Sequence, residues 1–521
     1  MKIQYAIFSA LLLVAAPAFS FAANTPTTKL VTANAETGIA WYEGDVDAAF
    51  AYAKTHNKPL FLYWGASWCP PCNQVKATIF NRKDFIQRSS FFVSVHIDGD
   101  APGAQKLGAR FKVSGYPTTI LFKADGTEIT RLPGEVDAKR YLQTLALGMN
   151  ANHPVKDILK SALAGTKMSE DDSRMLAYYS WETDEQQLVA SKDLPATLQK
   201  LAKLTPAGDN AQRLGLSALV AAANPKTGNA AGVDKAAANT LLANVLADKR
   251  TARDNIDLLE NYPAELVGLV SDKQTPARTK LIGAWDKAMR RLDADTTLSK
   301  ADRISALTAQ VSLARLEKPE GALPTALLSE VRKQVALVDK TTTDGFERQS
   351  VIDASAHVLA EAGLLDDSDK LLKAELKRSH SPFYHMLSLA ANAKKRGDKE
   401  AAISWYEQAY QAAKGPATRL QWGVTYLNNL IDLAPQDEVR IEKVSSSVFQ
   451  ELAQTKNAFY ERNRASLEKL GRKLNAWNVA GHGVSFKRVQ AQLSGVCGKL
   501  PSADAQRATC QGLLNTSPTK A

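Results

Sequence analysis

The chain has 521 residues, 65 Lys and Arg against 54 Asp and Glu, a formal net charge of +11 and 45% hydrophobic residues. That length and apolar content exclude a disordered tail or one minimal domain and leave room for two or more cored domains. The basic excess is modest and no basic run is interleaved with aromatics, so a nucleic-acid groove is not expected.

Residues 36–150 hold 13 Lys and Arg against 11 Asp and Glu, so most of the excess lies further on. It reads as solvated helical faces, with weak attraction to acidic partners or anionic lipid as the alternative.

Lys2 precedes an apolar run over 7–16, and Ser20-Phe21-Ala22 offers the small residues a signal peptidase reads. The run is too short to span a bilayer permanently, so residues 1–23 are predicted to be a signal peptide cleaved near Ala22 or Ala23. The mature protein is then exported and not an integral membrane protein, in a setting where disulfides persist. A polar leader follows over 24–35.

From residue 36 the pattern is compact α/β. The predicted elements are a helix over 45–56, a buried strand over 60–64 and a helix over 71–87. A strand over 91–97, a short helix over 104–111 and strands over 118–122 and 128–131 come next, then a closing helix over 137–147. This order predicts a mixed sheet with helices on both faces, spanning residues 36–150.

Trp68-Cys69-Pro70-Pro71-Cys72 sits directly after the first strand, at the start of a predicted helix. A thiol there meets unpaired N–H groups and the positive end of the helix dipole, so Cys69 is expected to ionise more easily than a free cysteine. Cys72, one turn further in, is more shielded. Cys69 is therefore assigned as the attacking thiol and Cys72 as the resolving one. The same spacing also serves half of a zinc site or a plain structural disulfide. A zinc site would need a second close pair, and the only other cysteines, Cys497 and Cys510, lie far away in sequence and are not closely spaced.

With Gly115-Tyr116-Pro117-Thr118 added to the cysteine motif, the segment resembles a thioredoxin fold. The resemblance implies a cis bond before Pro117 and contact between substrate and Trp68, Tyr116 and Pro117. Lys58-Pro59-Leu60, Trp64-Gly65-Ala66-Ser67-Trp68 and Ile97-Asp98 are similar to the carboxy-terminal domain of the thiol:disulfide interchange protein DsbD. That similarity implies a periplasmic location and a membrane electron donor of the DsbD type.

Two departures bear on mechanism. Tyr63 stands where many relatives bury an acid six positions before the first cysteine, and Lys76 stands where the DsbD-type domain has a glutamate. Losing two negative charges favours nearby thiolates and a more oxidising couple, unless Lys76 points to solvent. Pro70 and Pro71 remove two N–H donors and act in the opposite direction.

After Asn150 strand signals vanish. Helices are predicted over 157–164, 212–223, 236–247, 278–292 and 301–316, making residues 151–521 a large all-α, repeat-like domain. Within it, the run from Gly397 through Trp405 and Tyr406 to Ala409 resembles the second half of a tetratricopeptide repeat. A 34-residue shift aligns Gly363 with Gly397, Leu371 and Leu372 with Trp405 and Tyr406, and Pro382 with Pro416, although Ser368 replaces Ala402. Helical hairpins are expected around 355–415, with Trp405 and Tyr406 in their core. Cys497 and Cys510 are expected to form a structural disulfide worth about 3 kcal/mol.

The reading is an exported thiol:disulfide oxidoreductase acting on protein substrates, reductase favoured over oxidase. No metal, flavin or nucleotide motif is present, which leaves the cysteine pair itself as the redox group. The alternatives are a disulfide isomerase, or a chaperone-like or scaffold protein whose helical domain selects clients.

Overall fold

The computed structural model describes residues 38–514 except 114, 135, 136, 186, 225–229 and 320. The predicted signal peptide and leader lie outside the described residues.

The first domain runs α1 (Val46–Thr55), β1 (Leu60–Gly65), α2 (Pro70–Val75), α3 (Lys83–Ser89), β2 (Val93–Asp98), α4 (Ala104–Phe111), β3 (Thr118–Phe122), β4 (Glu128–Leu132) and α5 (Ala138–Met149). The sheet order is β2-β1-β3-β4, with β1 parallel to β2 and antiparallel to β3. Every residue of β1 is buried, as a central strand requires. Phe61 and Tyr63 enter one core, while Leu60, Leu62 and Trp64 enter the other.

One predicted element divides. The helix expected over 71–87 is α2, a π-helical turn over Lys76–Phe80, a break at Asn81 and Arg82, and then α3. Phe80 and Phe85, five positions apart, would fall on different faces of a straight helix. The wide turn and the break let both pack together at 5.0 Å, and Phe85 also meets Phe61 at 5.7 Å.

Beyond Asn150 the described residues are helical. The five predicted helices are Val155–Leu163, Asp209–Ala223, Lys235–Ala247, Pro276–Asp293 and Lys300–Glu317. The two aligned repeat segments are both helical hairpins. Helices Gly345–Glu361 and Leu365–Glu375 turn at Gly363, and Pro382–Lys395 and Lys399–Ala412 turn at Gly397. Both glycines are left-handed, with φ of 82° and 79°, where a side chain would be strained. Ser368 is accommodated because its hydroxyl donates to Ala356 O and accepts from Asn392 Nδ2, both at 2.9 Å. Tyr406 is buried and Trp405 packs partly against the same core.

The two parts are not separated by a bare linker. One apolar cluster joins Phe61, Tyr63 and Leu145 to Val155, Ile158, Met175 and Leu198, so the core crosses residue 150. The outer edge of β4 is also covered. Arg131, fully buried, donates to the carbonyls of Phe111, Lys112 and Thr183, and its own carbonyl accepts from Ser180 N at 3.1 Å. Covering an edge strand removes a site of unwanted pairing.

At the far end, Cys497 and Cys510 are disulfide-bonded, Cα atoms 5.6 Å apart, tying helix Gly483–Gly498 to Ala505–Gly512. Among the described residues no helix is long and apolar enough to cross a membrane.

Candidate active site

The two remaining cysteines, both free, lie at the start of α2. Cys69 is its N-cap, and its sulfur accepts from Cys72 N at 3.4 Å. Pro70 and Pro71 occupy the first helical positions, where missing N–H groups cost no intrahelical bond. Asn73, fully buried, locks the turn by donating to Ser67 O at 2.8 Å and Cys69 O at 2.9 Å.

The Tyr116–Pro117 bond is cis, and the Cys69 thiol donates to Tyr116 O at 3.7 Å. Residues 47 positions apart therefore meet where the sequence placed substrate contact. Tyr116 is held in turn by Gln105, whose amide donates to its hydroxyl and to Gly99 O, both at 2.9 Å.

The helical domain lies directly over this site. Trp68, Cys69 and Cys72 form one apolar cluster with Phe383, Ala409, Ala413 and Trp422. Trp68 stacks on Tyr384 with ring centres 5.7 Å apart and meets Trp422 edge-on at 4.8 Å. Its indole N–H is shared between Asp100 Oδ2 at 3.0 Å and Thr418 Oγ1 at 2.9 Å. Arg462 lies over the Trp68 and Tyr116 rings, 5.6 and 4.7 Å from their centres. His380 Nε2 is 3.0 Å from Ser67 O, and Gln74 of α2 donates to Ser299 and Asp302. Cys69 is 4% exposed and Cys72 is fully enclosed, so no disulfide in another protein reaches either sulfur until these contacts part.

Enclosure changes the acid–base chemistry expected from the helix start. The hydrogen bond to Cys69 sulfur is present, but burial dominates and pushes the Cys69 thiol well up, with the Cys72 thiol adding to it. Against its own burial, the neighbouring Cys69 thiol, the Ala66 backbone, the Tyr63 hydroxyl and the charge of Lys76 act to bring Cys72 below the ordinary thiol range. In this closed arrangement burial therefore opposes the ionisation of Cys69 that the helix start favours. The cause is the covering domain, which the motif does not report. Lys76 is half-buried rather than solvent-facing, its Nζ 5.3 Å above the Phe346 ring.

Three carboxyls at the covering interface are destabilised by burial. Asp100 is pushed up to about 6, Asp302 to about 6 and Asp353, on the helix packed against α2, to about 7. Gly415, with φ of 84°, lets the turn before helix Pro416–Leu433 approach Asp100, since a Cβ there would stand 2.8 Å from the Asp100 Cβ.

The thioredoxin-like domain family matches residues 46–148. These residues form a thioredoxin-like domain. The chain is 29% identical to the thiol:disulfide interchange protein DsbD of Yersinia pestis (strain Pestoides F) over 147 residues, 27% of this chain and 24% of the relative. It thus spans about a quarter of that protein's length. It is also 37% identical over 84 residues to thioredoxin H4 of Arabidopsis thaliana, covering 16% of this chain and 65% of the relative. Among solved structures, a DsbH oxidoreductase aligns at 21% identity over 25% of this chain and 94% of its own, with a TM-score of 0.21.

Sequence reasoning reached Trp68, Cys69, Cys72, Tyr116 and Pro117, which the fold brings together. It missed Asp100, Thr418, Trp422, Tyr384 and Arg462. The last four lie more than 300 positions from Cys69, and no local spacing announces such contacts.

Proposed function

We propose that this protein is an exported thiol:disulfide oxidoreductase that exchanges disulfides with protein substrates through Cys69 and Cys72. The observation that carries the reading is the position of the Cys69 sulfur, at a helix start and against the backbone of a cis Tyr116–Pro117 segment.

In the reducing direction the helical cover parts and water reaches Cys69, whose proton is then easily lost. The Cys69 thiolate attacks a substrate disulfide, forming a mixed disulfide and releasing one substrate thiolate. Cys72 attacks the Cys69 sulfur, the second substrate thiol leaves, and the enzyme is left with a Cys69–Cys72 disulfide. Two electrons pass to the substrate, and a donor of the DsbD type restores the dithiol. Oxidation of a client runs the same steps in reverse.

A second reading, in which the helical domain selects clients, is favoured by the enclosure of Cys69 beneath Phe383 and Trp422. On that reading the domain decides which clients open the site, and the chemistry is unchanged.

The test uses reduced full-length protein with insulin as a disulfide substrate. Reduction is expected with the wild type and absent with Cys69→Ser, and Cys72→Ser should accumulate a mixed disulfide. No reduction and no mixed disulfide would sink the reading. Equilibration with glutathione then fixes direction, a potential near about −270 mV favouring a reductase and one near about −120 mV an oxidase.

A further inference from the structure

A cavity of about 690 Å³ lies between the first domain and the beginning of the helical domain. Tyr116, Pro117 and Gly134 form one wall. The others come mainly from the segment 179–185 and from helices Leu194–Leu204, Asp209–Ala223, Ile256–Asn261 and Pro263–Val270. The volume falls in the range of sites that hold a small molecule or a short peptide segment. Tyr116 also borders the redox site, its carbonyl oxygen 3.7 Å from the Cys69 sulfur.

The lining is acidic in a basic protein. Glu182, Glu185, Asp257 and Glu265 face it, and among the described residues Arg213 is the one basic lining side chain. Arg213 is already held by Asp257 through two bonds of 3.0 and 2.7 Å. Four carboxylates and one guanidinium leave a formal charge of −3, against +11 for the chain. Burial pushes the Glu182 carboxyl up, its bond from the Tyr262 hydroxyl opposes this, and Asp257 adds repulsion. Glu461, beside Glu185, is pushed up to about 7 by burial and by that neighbour. Carboxylates crowded in this way are relieved by a cation brought by the occupant. Tyr179, Trp181, Leu198 and Val220 supply apolar surface between them.

We propose that this cavity binds an extended, cysteine-bearing segment of a client protein with Lys or Arg beside the cysteine. The inference rests on the oxidoreductase reading and adds the charge class of the client. Once the cover parts, a segment running along the Tyr116–Pro117 wall brings its own sulfur toward Cys69, while the flanking cations meet Glu182 and Glu265. Neither cysteine lines the cavity, so exchange with a bound segment still requires the cover made by Phe383 and Trp422 to part.

The test uses the reduced full-length protein in excess over two five-residue peptides, each carrying a central cysteine disulfide-linked to thionitrobenzoate. One has Lys and the other Glu on both sides of the cysteine. The Cys69 thiolate displaces the coloured thiolate, and Cys72 then expels the peptide thiol, so a single turnover is balanced without added reductant. At low salt the Lys peptide is expected to react about tenfold faster, the ratio shrinking to about twofold at 0.5 M salt. Glu182→Gln with Glu265→Gln should collapse the ratio, and Glu182→Lys with Glu265→Lys should invert it. Equal rates for the two peptides in the wild type, or a ratio untouched by both double variants, would overturn the proposal. Uncharged 2-hydroxyethyl disulfide separates the two failures. If the wild type reduces it but shows no charge preference, the cavity proposal alone falls. If it reduces neither this compound nor either peptide, the oxidoreductase reading falls with it.

Discussion

The indole N–H of Trp68 and the hydroxyl oxygen of Thr418 meet at 2.9 Å across 350 positions of sequence. Trp68 immediately precedes Cys69, and Thr418 lies in the first turns of helix Pro416–Leu433, so this bond fastens the cover to the cysteine motif. Thr418→Val keeps the shape and removes the acceptor. Losing one such bond costs about 1 kcal/mol, so the open population should rise about fivefold. In a Cys72→Ala background, iodoacetamide should then alkylate Cys69 about five times faster. An unchanged rate would mean that the contact does not restrain opening.

Tyr63 supplies the second prediction. It is fully buried, its hydroxyl is 2.6 Å from where a Cβ on Gly65 would stand, and that hydroxyl, which has no hydrogen-bond partner in the closed arrangement, is close enough to Cys72 to lower its thiol. A phenol donates where a carboxylate could only accept, so it steadies the Cys72 thiolate instead of taking its proton. Tyr63→Phe should therefore raise the Cys72 pKa. Hydrogen bonds to charged groups are worth about 1.5–3 kcal/mol, which is about one to two pKa units. Thiolate absorbance followed against pH in a Cys69→Ala background measures the shift, and an unmoved titration would show that Tyr63 only fills space.

The first domain was readable because its signals are local. Alternation and turn residues mark β1 to β4, and a five-residue motif carries the thiols. The helix over 71–87 was misread because propensity does not see that Phe80 and Phe85 must share one core. The 34-residue shift located both hairpin turns, since Gly363 and Gly397 each need a left-handed backbone. What no period or motif could supply is the enclosure. Tyr384, Thr418, Trp422 and Arg462 read as ordinary helical residues, and only the packing of distant helices brings them over Trp68. The burial that opposes ionisation of Cys69 follows from that packing, so it too was out of reach.

The disulfide at the far end gives a prediction independent of the redox site. Cys497 and Cys510 close a short loop, and both sulfur-bearing residues are buried in the core that holds Leu467, Leu470 and Phe486. Replacing both with Ser should cost about 3 kcal/mol. Thermal unfolding should begin at lower temperature, with insulin reduction retained below that temperature because neither cysteine belongs to the cluster around Trp68 and Cys69. An unaltered melting curve would show that packing alone holds the terminal helices.

Closure of the cover should be favoured by acid. Asp100, Asp302 and Asp353 all have pKa values raised by burial, to about 6, 6 and 7. For an acid whose pKa is higher closed than open, the closed form holds the proton more tightly. Its stability is then greatest below the ordinary carboxyl range and falls as pH rises through about 4 to 7, with no further loss above. The measurable quantity is the alkylation rate of Cys69 in the native protein divided by that in the unfolded chain, which removes the intrinsic pH dependence of the thiol only if the Cys69 pKa is known in both states. Hydrogen exchange of the Trp68 indole N–H avoids that requirement, once divided by the pH-dependent rate of free indole. Its protection should be several-fold greater at pH 5 than at pH 8, and Asp100→Asn should flatten part of the change. Protection that grew with pH would mean that other charges, and not these carboxyls, govern access to Cys69.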